Sequence, residues 1–129
     1  MTKQREIPEP KMWTYQLAEG WTAYAGKTDE DNDLLSCHFA HRQDYWFHVS
    51  GCPGSHVILR GPEGEEASRE LLQTAAAIAA WHSKARNGGN CSVDCTRAMY
   101  VSKPPHSPAG LVTISNSRTI RTRPALPSA

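Results

Sequence analysis

Residues 44–56, DYWFHVSGCPGSH, combine side chains that could do chemistry at short spacing. His48 and His56 carry imidazoles, which act as general bases, metal ligands or hydrogen-bond donors to phosphate. Ser55 carries a hydroxyl that an adjacent base could activate as a nucleophile. Trp46 offers an aromatic face on which a nucleobase can stack. The segment therefore admits a hydrolytic site, a metal site or a nucleic-acid-binding surface, besides a purely structural role.

A nucleophilic site would need Ser55 beside an oriented base. His56 follows Ser55 directly, and neighbours on a strand point to opposite faces of the sheet. His48 or Asp44 remains able to approach Ser55 across a hairpin. A small hydrolase or RNA-modifying enzyme that uses His48, Ser55 and His56, with or without a metal, therefore stays open as an alternative. Because nothing in the spacing demands catalysis, we expect that the chain is not an enzyme.

The cysteines and histidines do not show the spacing of a metal site. Cys91 and Cys95 are four residues apart on a predicted strand, a separation of about 13 Å and too far for one metal ion. The other candidates lie between residues 37 and 56 and are Cys37, His38, His41, His48, Cys52 and His56. No C-x-x-C or H-E-x-x-H motif is present. We therefore predict no metal and no cofactor, and reduced cysteines.

Charge is distributed unevenly along the 129 residues. Residues 1–80 carry seven Lys/Arg against twelve Asp/Glu, whereas residues 81–129 carry seven Lys/Arg against Asp94 alone. Such asymmetry indicates an anionic partner. Affinity for phosphates comes from Lys and Arg that displace counterions. A nucleic acid is thus a candidate partner, unless folding mixes the two halves into a neutral surface.

Hydrophobic alternation and turn residues predict the elements that must position these side chains. The predicted order is β-β-α-β-β-α-β-β. Strands are expected within residues 13–20, 21–27, 44–50, 55–61, 91–104 and 110–124, and a short helix within residues 28–40, with Thr28 or Asp29 as N-cap. The sequence thus predicts an α+β fold.

One helix is predicted with particular strength within residues 65–89. Glu65 and Glu66 are placed at its start, and Lys84 and Arg86 near its end. The expected buried stripe consists of Leu71, Leu72, Ala75, Ile78, Ala79 and His82. We predict a single domain whose mixed, mostly antiparallel sheet packs against this long Ala-rich helix and the short helix.

The chain ends are rich in proline and are predicted to be tails. We expect a disordered N-terminal tail over residues 1–12, the domain over residues 13–123 and a C-terminal tail over residues 124–129. No apolar run reaches the roughly 18 residues of a membrane helix, and the first residues lack a secretory signal. We therefore expect a cytoplasmic protein with no membrane partner, and nothing in the sequence indicates an oligomeric state.

Several segments together resemble the NFACT-R domain, which is found at the C-terminal end of ribosome-quality-control and fibronectin-binding-like NFACT proteins. The segments are DYWFH (44–48), PGSHVILR (53–60), AAAIAAWHSKAR (75–86), VDCT (93–96), VSKP (101–104) and GLV (110–112), preceded by GKT (26–28) and NDL (32–34). They cover about residues 15–123. The pair D-x-W-F-H and P-G-S-H-V is the most specific part of the resemblance.

The resemblance implies a compact α+β RNA-binding domain, with tRNA or rRNA as ligand and the ribosome as an associated partner. The family's polar positions map onto Lys27, Asp44, Trp46, His48, Ser55, His56, Ser83, Lys84, Arg86 and Lys103. Lys27 stands where the family usually has Arg, which weakens a bidentate phosphate contact. The family's N-terminal domain, helix-hairpin-helix and coiled coil are not in this sequence. The chain therefore resembles the stand-alone form, to which tailing of nascent chains with tRNA does not transfer.

These observations predict a non-catalytic RNA-binding module linked to translation or ribosome quality control. Its basic face is expected beside the hairpin of residues 44–60. The predicted contact residues are Lys27, Trp46, His48, Ser55, His56, Arg60, Ser83, Lys84, Arg86 and Lys103. A DNA-binding or protein-binding adaptor that uses the same face is a further alternative. The prediction requires that the hairpin and the basic end of the long helix lie side by side.

Overall fold

The computed structural model describes residues 6–127 and shows an α+β fold. The strands are β1 (Met12–Ala18), β2 (Trp21–Gly26), β3 (Tyr45–Val49), β4 (Val57–Arg60), β5 (Cys91–Arg97), β6 (Val101–Ser102), β7 (Thr113–Ile114) and β8 (Arg118–Thr122), and the helices are α1 (Asp29–Leu34) and α2 (Arg69–Trp81). Six strands form one antiparallel sheet in the order β1-β2-β4-β3-β5-β8, and β6 pairs with β7 in a small second sheet. The predicted fold class is confirmed.

Local sequence accounts for the first half of the fold. Gly20 turns the chain between β1 and β2 with φ of 81°, a conformation that glycine adopts without a Cβ clash. Thr28 caps α1, because its Oγ1 accepts a hydrogen bond from the backbone N–H of Asp31 at 3.1 Å. The helix continues into a π-helical turn, Leu35–Phe39, that leads towards β3. Both predicted hairpins and the short helix are therefore present.

The long helix is shorter at both ends than the sequence predicts. Ser68 is its N-cap, with Oγ accepting from the N–H of Leu71 at 3.1 Å, so Glu65 and Glu66 precede the helix. At the other end His82 has non-helical dihedral angles (φ −88°, ψ 46°). The 13-residue helix therefore ends at Trp81, and Lys84 lies in the turn that follows.

The second half of the chain also departs from the prediction, since two long strands were expected and four are found. After β5 the N–H of Ala98 bonds to the carbonyl of Asp44 and that of Met99 to the carbonyl of Arg42, both within 3.0 Å. These bonds turn residues 98–100 into a 3-10 helix. Further on, Asn116 adopts a positive φ of 51° and separates β7 from β8.

The six-stranded sheet buries a different cluster on each face. On one face it packs against α2, and the apolar core there is Trp21, Ala23, Ala25, Tyr45, Phe47, Val57, Leu59, Leu72, Ala75, Ala76, Ile78, Ala79, Ala80, Val93 and Cys95. On the opposite face Leu35, Trp46 and Ile58 form a smaller cluster with residues of the π turn and of β6 and β7. Alternation along β3 sends Tyr45 and Phe47 to the first cluster and Trp46 to the second.

The predicted tails overlap the described structure in part. Residues 1–5 and 128–129 lie outside the described residues. Lys11, within the predicted N-terminal tail, donates its N–H to Asp31 Oδ1 at 2.9 Å and accepts the N–H of Lys27 at 3.1 Å. In the predicted C-terminal tail, the N–H of Ala125 donates to the carbonyl of Ala77 at 3.3 Å.

Candidate nucleic-acid interface

The loop between β3 and β4 crosses directly over the C-terminal end of α2. The N–H of Ser55 donates to the carbonyl of His82 at 2.8 Å, and the N–H of Lys84 donates to the carbonyl of Pro53 at 3.0 Å. These bonds flank an antiparallel bridge between Gly54 and Ser83. A Cβ at Gly54 would lie 2.6 Å from the Cβ of Ser83, so only glycine permits so close an approach. The hairpin and the basic end of the helix are therefore neighbours.

Beside this crossing lies an open cleft of about 330 Å³. Its lining comprises Trp13, Gly26, Lys27, Thr28, Asp29, Asn32, Pro53, Gly54, Ser55, His82, Ser83, Lys84 and Arg86. Three of these residues, Lys27, Lys84 and Arg86, are cationic, and Asp29 is the one acidic residue in the lining. Among the described residues 6–127, no carboxylate forms an ion pair with any of the three cations. The basic cleft, as we name this lining, therefore carries uncompensated positive charge.

Each cation of the basic cleft comes from a different local structure. Lys27 follows the last residue of β2, and Lys84 is held by its backbone bond to Pro53. The guanidinium of Arg86 lies over the ring of Trp81 at 4.5 Å, and its Nε–H donates to the carbonyl of Trp81 at 2.6 Å. This contact orients Arg86 before any ligand binds, which lowers the entropic cost of a contact with phosphate.

Two predicted cationic contacts, Arg60 and Lys103, are engaged elsewhere. Arg60 pairs with the buried carboxylate of Asp44 at 2.8 Å and donates to the carbonyl of Phe39 at 2.8 Å. Lys103 pairs with Asp33 at 3.1 Å and donates to the carbonyls of its own loop. Neither residue lines the basic cleft. In this conformation the charges of both side chains are paired with carboxylates inside the protein.

Trp46 and His56 are buried, with side chains only 3% and 2% exposed. A hydrogen-bond chain connects them: Trp46 Nε1–H donates to Ser36 Oγ (2.9 Å), and the Ser36 hydroxyl donates to His56 Nδ1 (2.7 Å). His56 Nε2–H then donates to the carbonyl of Gly110 at 3.1 Å. The π turn and the loop before β7 cover both side chains and separate them from solvent.

The network also fixes the charge of His56. Burial, reinforced by the neighbouring His48, lowers the pKa of His56 to about 4. His56 is therefore neutral at pH 7, as its acceptor role at Nδ1 requires. His48 is partly buried against the same face, and burial likewise lowers its pKa. Neither imidazole is a cation at neutral pH.

Ser55 is 7% exposed, and its hydroxyl donates to the carbonyl of Gly26 at 2.6 Å. This bond ties the β3–β4 loop to the residue before Lys27, whereas His56 turns its ring towards Ser36. Ser55 and His56, the neighbouring hydroxyl and imidazole of the hydrolase alternative, are thus not paired with each other. Among residues 6–127, no three His, Cys, Asp or Glu side chains converge as metal ligands.

The prediction from the sequence did not include an aromatic cluster that lies at the edge of the basic cleft. Trp13, the second residue of β1, stacks on His82 with ring centroids 4.1 Å apart and an angle of 12° between the planes. Tyr15, two residues further along β1, hydrogen-bonds to His82 Nε2 at 2.6 Å. The period-2 spacing of Trp13 and Tyr15 showed that they share one face. It did not show that the face meets the end of α2.

The arginines of the last third of the chain lie mostly at a distance from the basic cleft. Arg97, Arg118 and Arg121 line a second groove with Arg69, at the N-terminal end of α2. Arg97 there donates to Tyr45 Oη and to the carbonyl of Gln43, and approaches Glu66 at 3.8 Å. The positive charge of residues 81–129 is therefore divided between the two ends of α2.

The chain matches the family described as the NFACT protein RNA binding domain over residues 11–116. It belongs to this family. A protein named Rqc2 homolog RqcH from Bacillus subtilis (strain 168) is 34% identical over 122 residues, which cover 95% of this chain and 21% of that protein. Its namesake from Streptococcus suis (strain 05ZYH33) is also 34% identical over 122 residues, covering 94% of this chain and 21% of that protein. The chain thus spans about a fifth of the length of these curated relatives.

A solved structure shows the same fold. The C-terminal part of the fibronectin/fibrinogen-binding protein from Streptococcus suis superimposes with a TM-score of 0.81 at 31% identity, covering 96% of this chain and 49% of that one. Neither α1 nor α2, the α-helices found in the described residues, has the length and apolar composition needed to cross a bilayer.

Proposed function

We propose that this chain is a non-catalytic RNA-binding module that holds RNA phosphates in the basic cleft. The observation that carries the proposal is the convergence of Lys27, Lys84 and Arg86, none of which forms an ion pair with a carboxylate within residues 6–127, in a member of an RNA-binding domain family. Phosphate contacts supply most of the sequence-independent affinity for nucleic acid. tRNA or rRNA is the proposed ligand, in cytoplasmic ribosome quality control.

The predicted contact residues then divide into three roles. Lys27, Lys84 and Arg86 contact phosphate. Ser83 shapes the cleft, because its hydroxyl donates to the carbonyl of Ala80 and accepts from the N–H of Ala85. The remaining predicted contacts support the fold behind the cleft: Trp46, His48, Ser55, His56, Arg60 and Lys103.

The test is a titration of total tRNA, a single-stranded RNA and a duplex DNA with the wild-type protein at several salt concentrations. Each phosphate contact contributes about 0.7 to 0.9 to the slope of log K against log salt. Three contacts therefore predict a slope of about −2 to −3. Lys84→Gln combined with Arg86→Gln should reduce its magnitude by about 1.4 to 1.8.

The matched control removes the same charge elsewhere. Arg42 and Arg123 are exposed and lie outside the basic cleft. Arg42→Gln combined with Arg123→Gln should leave the slope within error of the wild-type value. Equal slopes for the two double variants would contradict the basic cleft as the RNA site. Tighter binding of duplex DNA than of either RNA would favour the adaptor alternative instead.

A further inference from the structure

Trp13 is unusual among the exposed apolar side chains of residues 6–127. The large ones are Ile7, Trp13, Tyr100, Leu111 and Leu126, and Trp13 is the tryptophan among them, 38% exposed. Trp13 lies near the start of the edge strand β1, and its indole is partly exposed to solvent beside the three cations of the basic cleft. Exposing an indole forgoes the stabilisation that its burial would give, which points to a role outside the core.

The indole is held in a fixed orientation. One face of Trp13 rests flat on His82, which follows the last residue of α2 and is itself fixed by the hydrogen bond to Tyr15. Burial, together with the nearby charge of Arg86, lowers the pKa of His82 to about 4. The ring beneath the indole is therefore uncharged at pH 7. A preoriented aromatic ring loses little entropy when a ligand stacks on it.

Cations lie within reach of the same indole. Lys27 Nζ lies over the Trp13 ring, 5.2 Å from its centroid, so a base that stacks on the indole would displace this exposed ammonium group, and Lys84 and Arg86 line the basic cleft that Trp13 borders. An aromatic face beside cations matches the two parts of a nucleotide, a flat base and a charged phosphate. This is the combination by which proteins bind single-stranded nucleic acid.

We propose that Trp13 is a base-stacking platform, so that the basic cleft takes an RNA segment with at least one unpaired base, as in a single strand, a loop or an end. The inference rests on the proposed function and names the ligand class of the same site. Bases inside an uninterrupted duplex are stacked on each other and offer no free face to Trp13. The cleft therefore discriminates between unpaired and paired RNA through Trp13 and binds phosphates through its cations.

The experiment measures the affinity of a short single-stranded RNA and of a blunt duplex of the same sequence by fluorescence anisotropy. Base stacking on an aromatic side chain corresponds to about 5- to 150-fold in affinity. Trp13→Leu, which retains apolar bulk over His82 but has no aromatic face, should weaken single-stranded binding by a factor in that range. It should leave duplex affinity within about 2-fold, and the salt slope unchanged, because no cation is removed. Trp13→Phe should retain most of the affinity.

Tyr100 supplies the matched control, since it is a 36% exposed aromatic residue outside the basic cleft. Tyr100→Leu should leave both affinities unchanged. Melting temperatures of all variants verify that folding is intact. Unaltered single-stranded binding by Trp13→Leu, or an equal loss on duplex, would overturn the stacking inference. If Trp13→Leu binds the single strand unaltered while the Lys84→Gln and Arg86→Gln variant still reduces the magnitude of the salt slope, the proposed function stands and this inference fails.

Discussion

His56 allows a stringent test of how the buried network behind the basic cleft is held. Its pKa is about 4 in the folded protein, against about 6.5 for an unperturbed histidine. At pH values between about 4 and 6.5, His56 is mostly protonated in the unfolded chain and mostly neutral in the folded protein. The free energy of unfolding therefore rises with pH through this window. The stability that His56 contributes is fully present above pH 6.5 and is lost as the pH falls towards 4.

The expected magnitude follows from the size of the shift. A difference of about 2.5 pKa units corresponds to about 3 kcal/mol of unfolding free energy that His56 alone removes on acidification. His56→Gln provides the comparison, because glutamine does not titrate and its amide can still donate towards the carbonyl of Gly110. At pH 7 the variant should be less stable by about 1 to 3 kcal/mol, the cost of a disturbed buried hydrogen bond.

The assay is urea unfolding of both proteins at pH 7, 5.5 and 4, followed by circular dichroism. Wild-type protein should lose about 3 kcal/mol more than His56→Gln between pH 7 and 4. His82, whose pKa is also lowered, is present in both proteins, so its contribution cancels in the comparison; because His48 lies beside His56, an NMR titration of His48 in each protein separates its share of the loss. Parallel losses in the two proteins would refute the neutral, hydrogen-bonded state of His56, as would a folded-state pKa near 6.5 in an NMR titration.

The other predictions concern Trp46 and Arg60, two further residues that support the fold behind the cleft. Trp46→Ala should lower the unfolding free energy by about 3 to 5 kcal/mol in urea titrations, because it leaves a cavity beside Ile58 and removes the donor to Ser36. Arg60→Met should cost about 3 kcal/mol by leaving the carboxylate of Asp44 buried without its partner, and Asp44→Asn in the same chain should restore part of the loss. The folded fraction of the Arg60 variant should keep the wild-type salt slope for tRNA.

Turns and caps that depend on neighbouring residues were predictable from the sequence. The β1–β2 hairpin needed only alternating side chains around Gly20, and the start of α1 needed only the hydroxyl of Thr28. The end of α2 was not predictable in this way, because helix-forming residues continue past Trp81. What ends the helix is the close passage of Gly54 against Ser83, a contact between segments almost thirty residues apart.

The exposure of the histidines was harder to predict than their positions. His82 fits the apolar stripe of α2 and was expected to be buried, yet it lies at the lining of the basic cleft beneath Trp13. His56 was predicted to contact RNA, with a structural role left open, and it is covered by the π turn and by the loop that carries Gly110. Periodicity assigns a residue to a face of its own element. Which other element covers that face depends on the tertiary structure.

The polar residues around the β3–β4 loop explain why a segment rich in chemical groups can serve binding without making the contacts itself. The Ser55 hydroxyl donates a hydrogen bond to the carbonyl of Gly26, and the N–H of His56 donates to Asn32 Oδ1 at 3.0 Å. These bonds join the end of β2, helix α1 and the β3–β4 loop into one wall of the basic cleft. Since Lys27 follows Gly26 and Lys84 is bonded to Pro53, the wall determines the separation of the cations. Replacing these buried polar groups should therefore change the geometry of the cleft and leave its charge unchanged.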